Sequence, residues 1–191
     1  MNHSLAFTWG STPEERRMAF PCDSYLFVSD NTCFRALDVA APAHVLFRWL
    51  CQLKVAPYSY DWIDNFARGS PRQLTPGTEK LARGQTVMSI FELVEFENYK
   101  HLTMMMDSPR ATSIFGRIAL SYVVLPTSDR SCRLVAKMRV RYPRKPPWAL
   151  MRWLLPWGDL LMMRKQFLTL KRLAESQTVS SSSPDSRDHY Y

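Results

Sequence analysis

Glycine is scarce: six residues in a chain of 191 leave little room for the phosphate-cradling loops on which nucleotide enzymes depend. Cysteine is no richer. Cys22, Cys33, Cys51 and Cys132 form no C-x-x-C pair and have no zinc-like spacing, and nothing resembles H-E-x-x-H or a two-histidine, one-carboxylate cluster. No metal and no cofactor is expected. The amino terminus lacks the basic-then-apolar run of a signal peptide, which points to a reducing cytoplasm and free thiols, with a Cys22–Cys33 bridge as the alternative. Long apolar runs are also missing. The longest, around Trp148 to Met163, is interrupted by Arg152, Pro156, Gly158 and Asp159, so nothing reaches the ~20 apolar residues that span a bilayer. The thirteen prolines are scattered and make no low-complexity tract.

What is present is a globular composition, 46% hydrophobic and 22% charged, of a size for one core. A domain of this length removes roughly 70% of its extended-chain surface from water, so it needs no covalent or metal staple. The charge is uneven. The whole of the net +8, and more, lies between Arg133 and Arg172, where eleven basic residues face one acid, Asp159. Such an excess attracts nucleic acid, anionic lipid or acidic ligands alike. No recognition helix, zinc finger or aromatic RNA-binding signature accompanies it, so specific nucleic-acid binding is not expected and a solvated cationic face is the simpler reading.

Phe34 to Ala40 reads as a short strand, and Ala41-Pro42 then favours a helix start. Val45, Leu46, Trp49, Leu50 and Leu53 form the apolar stripe of that helix, with His44, Arg48 and Gln52 opposite. Pro57 ends it. Tyr58 to Phe66 reads as a second short helix, capped by Ser59 or Asp61 and closed at Gly69-Ser70-Pro71. From Gln85 the period becomes that of strands: Gln85 to Glu97 and His101 to Met106 make one hairpin, Arg117 to Leu125 and Arg133 to Tyr142 another. In the last run Leu134, Ala136, Met138, Val140 and Tyr142 alternate with Arg133, Lys137, Arg139 and Arg141, which predicts a sheet with one wet, cationic face. Two helices close the chain, Trp148 to Leu155 and Trp157 to Glu175. Leu160, Met163, Phe167, Leu170 and Ala174 form a stripe on the second. The order implies an α+β domain with helices on one side of an antiparallel sheet.

The runs AAPAHVLFRWLCQL, PYSYDWIDN and SPRQLTPGTEKLARGQTVMSIFELVEFE with HLT, and the closing PWGDLLMMRKQFLTLKRLAE, resemble bacterial stand-alone members of the SRPBCC, or START-like, superfamily. The likeness covers roughly residues 20–175 and is to its polyketide cyclase/dehydratase and lipid-transport-like group. It implies a helix-grip fold: a curved antiparallel sheet of about seven strands, two short helices between the first and second strands, and a long C-terminal helix over an apolar cavity. Residues 1–19 are then a flexible lead and 176–191 a disordered Ser-rich tail. Such a fold hosts several chemistries, so the site must be argued from its residues.

On that fold, Trp49, Tyr58, Tyr60, Trp62, Phe91, Met104, Met138, Trp157 and Met163 are the candidates to line the cavity around a hydrophobic or amphipathic small molecule. Tyr58, Tyr60 and Trp62 would stack on it while Asp61 or Asn65 bonds its polar end. Equally, the two aspartates of that segment favour a helix N-terminus and its rings are ordinary core. The methionines Met104, Met105, Met106, Met138, Met162 and Met163 suit a cavity with varied ligands, and also suit plain core. An enzyme, a cyclase or dehydratase, is the alternative, with Tyr60, Asp61 or His101 moving protons. His101 opens a strand beside a turn, where it caps the sheet or reaches a cavity mouth; His3, His44 and His189 read as solvated. A third reading is a peripheral carrier in weak contact with an anionic membrane surface. Trp148, Trp153 and Trp157 beside Arg144, Lys145 and Arg152 resemble an interfacial anchor, or else begin the gripping helix and face the core. Asp159 reads as a carboxylate near a helix start, where the dipole favours it. No protein partner can be named from the sequence.

Overall fold

The computed structural model describes residues 4–59, 70–106, 108–143 and 149–182. Among these, six strands form one antiparallel sheet in the order β1-β6-β5-β4-β3-β2, one strand fewer than expected. They are β1 (Asn31–Val39), β2 (Thr86–Val87), β3 (Phe91–Glu97), β4 (His101–Met106), β5 (Arg117–Ser128) and β6 (Ser131–Arg141). Both predicted hairpins form. The long β5–β6 ladder pairs Tyr122 with Ala136 and Leu120 with Met138. These side chains, with Leu102, Met104, Leu134 and Val140, build the main core on one face, here the helix face.

Two helices cover that face. The first is α4 (Ala43–Cys51), which buries Leu46, Phe47, Trp49, Leu50 and Cys51 while His44 stays exposed. Gln52, expected on the wet side, is buried in the 3₁₀ turn that follows, its amide donating to Thr78 Oγ1 at 2.8 Å. The second cover is the C-terminal helix, Ala149–Ser182. Leu160, Met163, Phe167, Leu170 and Ala174 are all buried beneath it, as their spacing predicts.

This C-terminal helix is continuous through Pro156, where the sequence reads as two helices. A proline has no N–H for the carbonyl four residues earlier, here that of Arg152. Asn31 Nδ2 donates to Arg152 O at 3.3 Å, so the freed acceptor is satisfied from β1. The helix also runs past Glu175, where Trp49 Nε1 donates to Gln177 Oε1 at 3.0 Å and ties it to α4. Residues 176–182 are therefore helical; the rest of the expected tail, 183–191, lies outside the described residues.

The opposite face is not wet. Residues 4–19, expected to be flexible, form α1 (Leu5–Thr8) and α2 (Pro13–Arg17), and α3 (Cys22–Tyr25) follows. This arm runs along the β1 edge, where Ala36 N donates to Trp9 O at 3.0 Å. It then crosses the sheet, burying Phe20, Cys22 and Leu26 against Phe34, Ala119 and Val135. An edge strand so covered cannot recruit another chain. A capping box between Thr12 and Glu15 starts α2, and Glu15 is itself buried against Arg133. Lys137 and Arg139, predicted to be solvated, pair with Asp23 at 2.7 and 2.6 Å. A further short helix, α5 (Pro109–Phe115), which the sequence pattern did not announce, links β4 to β5 behind a Ser108 cap. The C-terminal helix, Ala149–Ser182, is α6.

Candidate functional site

The interior between the sheet and α6 is apolar apart from a few polar contacts, in which Asp159, Gln166 and Gln177 on the inward side of α6 meet partners on other elements. Strand alternation sets the sheet side: Arg35, Ala136, Tyr122 and Leu102 lie in one row across β1, β6, β5 and β4. On α6, Asp159, Gln166 and Gln177 share the inward side with Met163, Phe167 and Leu170.

At one end Arg35, 1% exposed, donates from Nη2 to Asp159 Oδ2 at 2.7 Å. The guanidinium also reaches the carbonyls of Ala6 and Phe34, both at 2.8 Å, and of Pro156 at 3.3 Å. Asp159 is thus a mid-helix residue whose partner is a strand cation, not a residue at the helix start. Burial pushes its carboxyl above the ordinary range, with Arg35 pulling the other way.

In the middle, Tyr122 OH donates to Gln166 Oε1 at 2.6 Å, and Gln166 Nε2 donates to Pro57 O at 2.6 Å. The same nitrogen lies 3.4 Å from Met88 Sδ. Burial drives the Tyr122 phenol strongly upward, so it stays protonated and serves as a fixed donor. Backbone strain gathers here. Tyr58, Met88 and Ser89 all have positive φ, at 55°, 48° and 65°, a region that non-glycine residues occupy at a cost.

The predicted lining residues divide. Trp49, Tyr58, Met104, Met138 and Met163 are buried in the main core on the helix face, and the Trp49 and Tyr58 rings meet edge-on at 6.3 Å. Phe91 packs partly buried against the same cluster. Trp157 does not join them: it is exposed on the far side of α6, as is Trp153. Tyr60, Asp61, Trp62, Asn65, Arg144, Lys145 and Trp148 lie outside the described residues, as does most of the predicted second helix. Of the other methionines, Met106 is buried in the main core, Met105 packs under the arm and Met162 is exposed.

His101 is on the arm face, away from this interior. Its Nε2 lies 3.8 Å from Glu95 Oε1, and burial lowers its pKa against the pull of Glu95 and Glu97. The four thiols are free and buried, and burial raises them to about 11 for Cys22 and Cys132 and about 12 for Cys33 and Cys51. Such thiols are inert at neutral pH. Cys22 and Cys33 sit in the clusters on opposite faces of the sheet, so no bridge joins them. Among the described residues no group of three His, Cys, Asp or Glu could hold a metal, and no helix is long and apolar enough to cross a membrane.

Sequence reasoning missed Arg35, Tyr122 and Gln166. Gln166 had a signal, because it falls between Met163 and Leu170 on the predicted apolar stripe. Arg35 had one too, as a cation inside Cys33-Phe34-Arg35-Ala36-Leu37, a run apolar on both sides.

No family model matches the chain, and no curated protein matches it. Solved structures do. A protein from Thermobifida fusca is 20% identical, with 74% of this chain and 94% of that one covered at a TM-score of 0.45. The di-domain ARO/CYC protein BexL of the BE-7585A biosynthetic pathway is 13% identical, over 78% of this chain and 47% of that one, at 0.46. A point mutant of norcoclaurine synthase from Thalictrum, in complex with a transition-state analogue, is 15% identical over 78% and 96%, at 0.43.

Proposed function

We propose that this chain binds a hydrophobic or amphipathic small molecule, of lipid, polyketide or isoprenoid kind, between the sheet and α6 in the manner of a helix-grip domain. The observation that carries the reading is the Tyr122–Gln166 pair and its strained border. Gln166 has two amide hydrogens; one meets the Pro57 carbonyl and, among the described residues, the other faces the Met88 thioether, a weak acceptor. A ligand hydroxyl or carbonyl would satisfy that hydrogen better than sulfur does. Met88 would be displaced from a backbone conformation that is costly to hold, so strain relief would accompany binding. The apolar body of the ligand would then lie among Trp49, Tyr58, Met104 and Met163, where flexible thioethers adapt to its shape.

The cyclase or dehydratase reading has less behind it. It needs a proton carrier that titrates near neutrality at this interior. His101 is on the other face of the sheet, the Asp159 carboxyl is held by Arg35, the Tyr122 phenol and the thiols are pushed well up by burial, and Tyr60 and Asp61 are outside the described residues.

Native mass spectrometry of freshly purified protein, followed by denaturing extraction, tests the proposal. The expected result is an apolar adduct at one per chain, with Gln166→Leu binding the extracted compound about tenfold more weakly while remaining folded. An apo mass, together with no rise in thermal midpoint on adding palmitate or farnesol, overturns it.

A further inference from the structure

The side of α6 turned away from the sheet is apolar where a surface helix should be polar. Trp153 is 66% exposed, Trp157 47% and Leu161 56%, and Leu154 and Leu168 extend the patch. At helical spacing these residues share one side of α6, opposite Met163, Phe167 and Leu170. The stripe from Trp153 to Leu168 is about 22 Å long at 1.5 Å per residue. Scattered exposed apolar residues need no account, but a contiguous stripe of indoles and leucines does.

The charges beside it are basic as far as Glu175, which lies at the Leu168 end and is paired with Lys171 at 2.6 Å. Arg164, Lys165 and Arg172 are exposed on the same side, and between Ala149 and Ala174 the helix has a single acid, Asp159, turned inward to Arg35. A second group of exposed apolar residues lies at the same end of the molecule. Phe27 is 80% exposed beside Val28, and Asp30, three residues on, contacts Arg152 at 3.4 Å, next to Trp153.

We propose that this side of α6 docks on an anionic lipid surface, with Trp153, Trp157 and Leu161 entering the headgroup boundary and Arg164, Lys165 and Arg172 meeting lipid phosphates. Indoles favour that boundary because the ring is apolar and its N–H still finds a partner. Basic residues next to buried apolar ones are what an in-plane amphipathic face requires. A second copy of the chain fits less well, because mating this side with itself sets Arg164, Lys165 and Arg172 against their own kind, and the nearby acid, Glu175, is already taken by Lys171 and the Ala40 N–H. The proposal makes no use of the interior, so each of the two readings can fail alone.

The test is co-sedimentation of the full chain with mixed phosphatidylglycerol–phosphatidylcholine vesicles and with phosphatidylcholine vesicles alone. The protein should sediment with the anionic vesicles, with tryptophan emission moved to shorter wavelength, and added salt should weaken the association. Trp153→Ser/Trp157→Ser/Leu161→Ser, checked for an unchanged thermal midpoint, should weaken partitioning about tenfold or more. If the triple variant does not fold, Trp153→Ser alone serves, with a smaller loss in the same direction. Arg164→Gln/Arg172→Gln should weaken binding to the anionic vesicles. No sedimentation at low salt overturns the proposal, as does a variant lacking the two tryptophans and the leucine that binds as well as the parent. So does a stable dimer in sedimentation velocity that the triple variant dissolves, which would assign the face to self-association.

Discussion

Each face of the sheet holds an aspartate against arginine, and the two carboxyls are driven in opposite directions. On the helix face, Asp159 meets Arg35 at 2.7 Å, and burial prevails, so its pKa is raised. On the arm face, burial also works to raise Asp23, but hydrogen bonds from Lys137, the Phe20 N–H and Arg139 outweigh it, and its pKa is lowered. The difference is one of supply. Asp23 has two cations and an amide, and is partly open to water; Asp159 has one cation that it shares with three carbonyls. A buried pair of the second kind is costly to break rather than strongly stabilising in itself. The first kind is a tie between segments far apart in sequence, and it holds down an arm whose helices, of four or five residues, would not form alone.

The largest expected effect follows on the helix face. Arg35→Leu leaves Asp159 buried without a partner and should destabilise the protein by about 3–5 kcal/mol in thermal or urea unfolding. Arg35→Leu/Asp159→Leu should recover most of that loss, because neither charge then remains. If the single variant costs under ~1 kcal/mol, the pair is solvated and the two faces do not differ as described.

The helix face was the legible one. Alternation in β6 and the 3-4 stripe of α6 each repeat over several residues, so their periods announce which side is buried. The arm has no such repeat. Three helices of four or five residues show no period, and Arg133, Lys137 and Arg139 read as solvated because their partners, Glu15 and Asp23, lie more than a hundred positions away. Pro156 was misleading for a related reason, since only the fold brings Asn31 to the carbonyl that proline frees. At the candidate site, apolar lining residues such as Met104 and Met163 were legible as core spacing. The polar centre was not, because Tyr122 meets Gln166 across forty-four positions and Gln166 meets Pro57 across more than a hundred.

A second variant asks how firmly the arm is seated. Gly10 has φ +72°, and a Cβ there would lie 1.9 Å from Ala36 O, a backbone atom of β1 that cannot move aside without disturbing the β1–β6 ladder. Gly10→Ala should therefore cost about 2 kcal/mol, combining a left-handed backbone with the displacement of the arm. Amide hydrogen exchange should locate the loss, with faster exchange in the arm and at Ala36 and with Leu120, Tyr122 and Phe167 unchanged. Uniform acceleration across both faces would mean that arm and core unfold as one unit.

The smallest effect is the pH dependence, and its sign separates the faces. Because Asp23 is held below its ordinary value in the folded chain, its ties contribute in full above the unfolded carboxylate range near ~4 and are lost as pH falls through the lower folded value. Asp159 has the opposite sign. Its raised pKa means that the folded chain takes up the proton more readily than the unfolded one, so acid withdraws no stability through it; the contribution is present below ~4 and declines as pH rises through the folded value. Acidification from pH ~6 to ~3 should thus loosen residues 20–26 before the sheet beneath α6, by about 1 kcal/mol given the partial exposure of Asp23. Asp23→Asn should remove that local acid sensitivity while leaving the exchange rates of Met163 and Phe167 as they were. Equal acid sensitivity in parent and variant would assign the effect to other carboxyls and dissolve the contrast between the two aspartates.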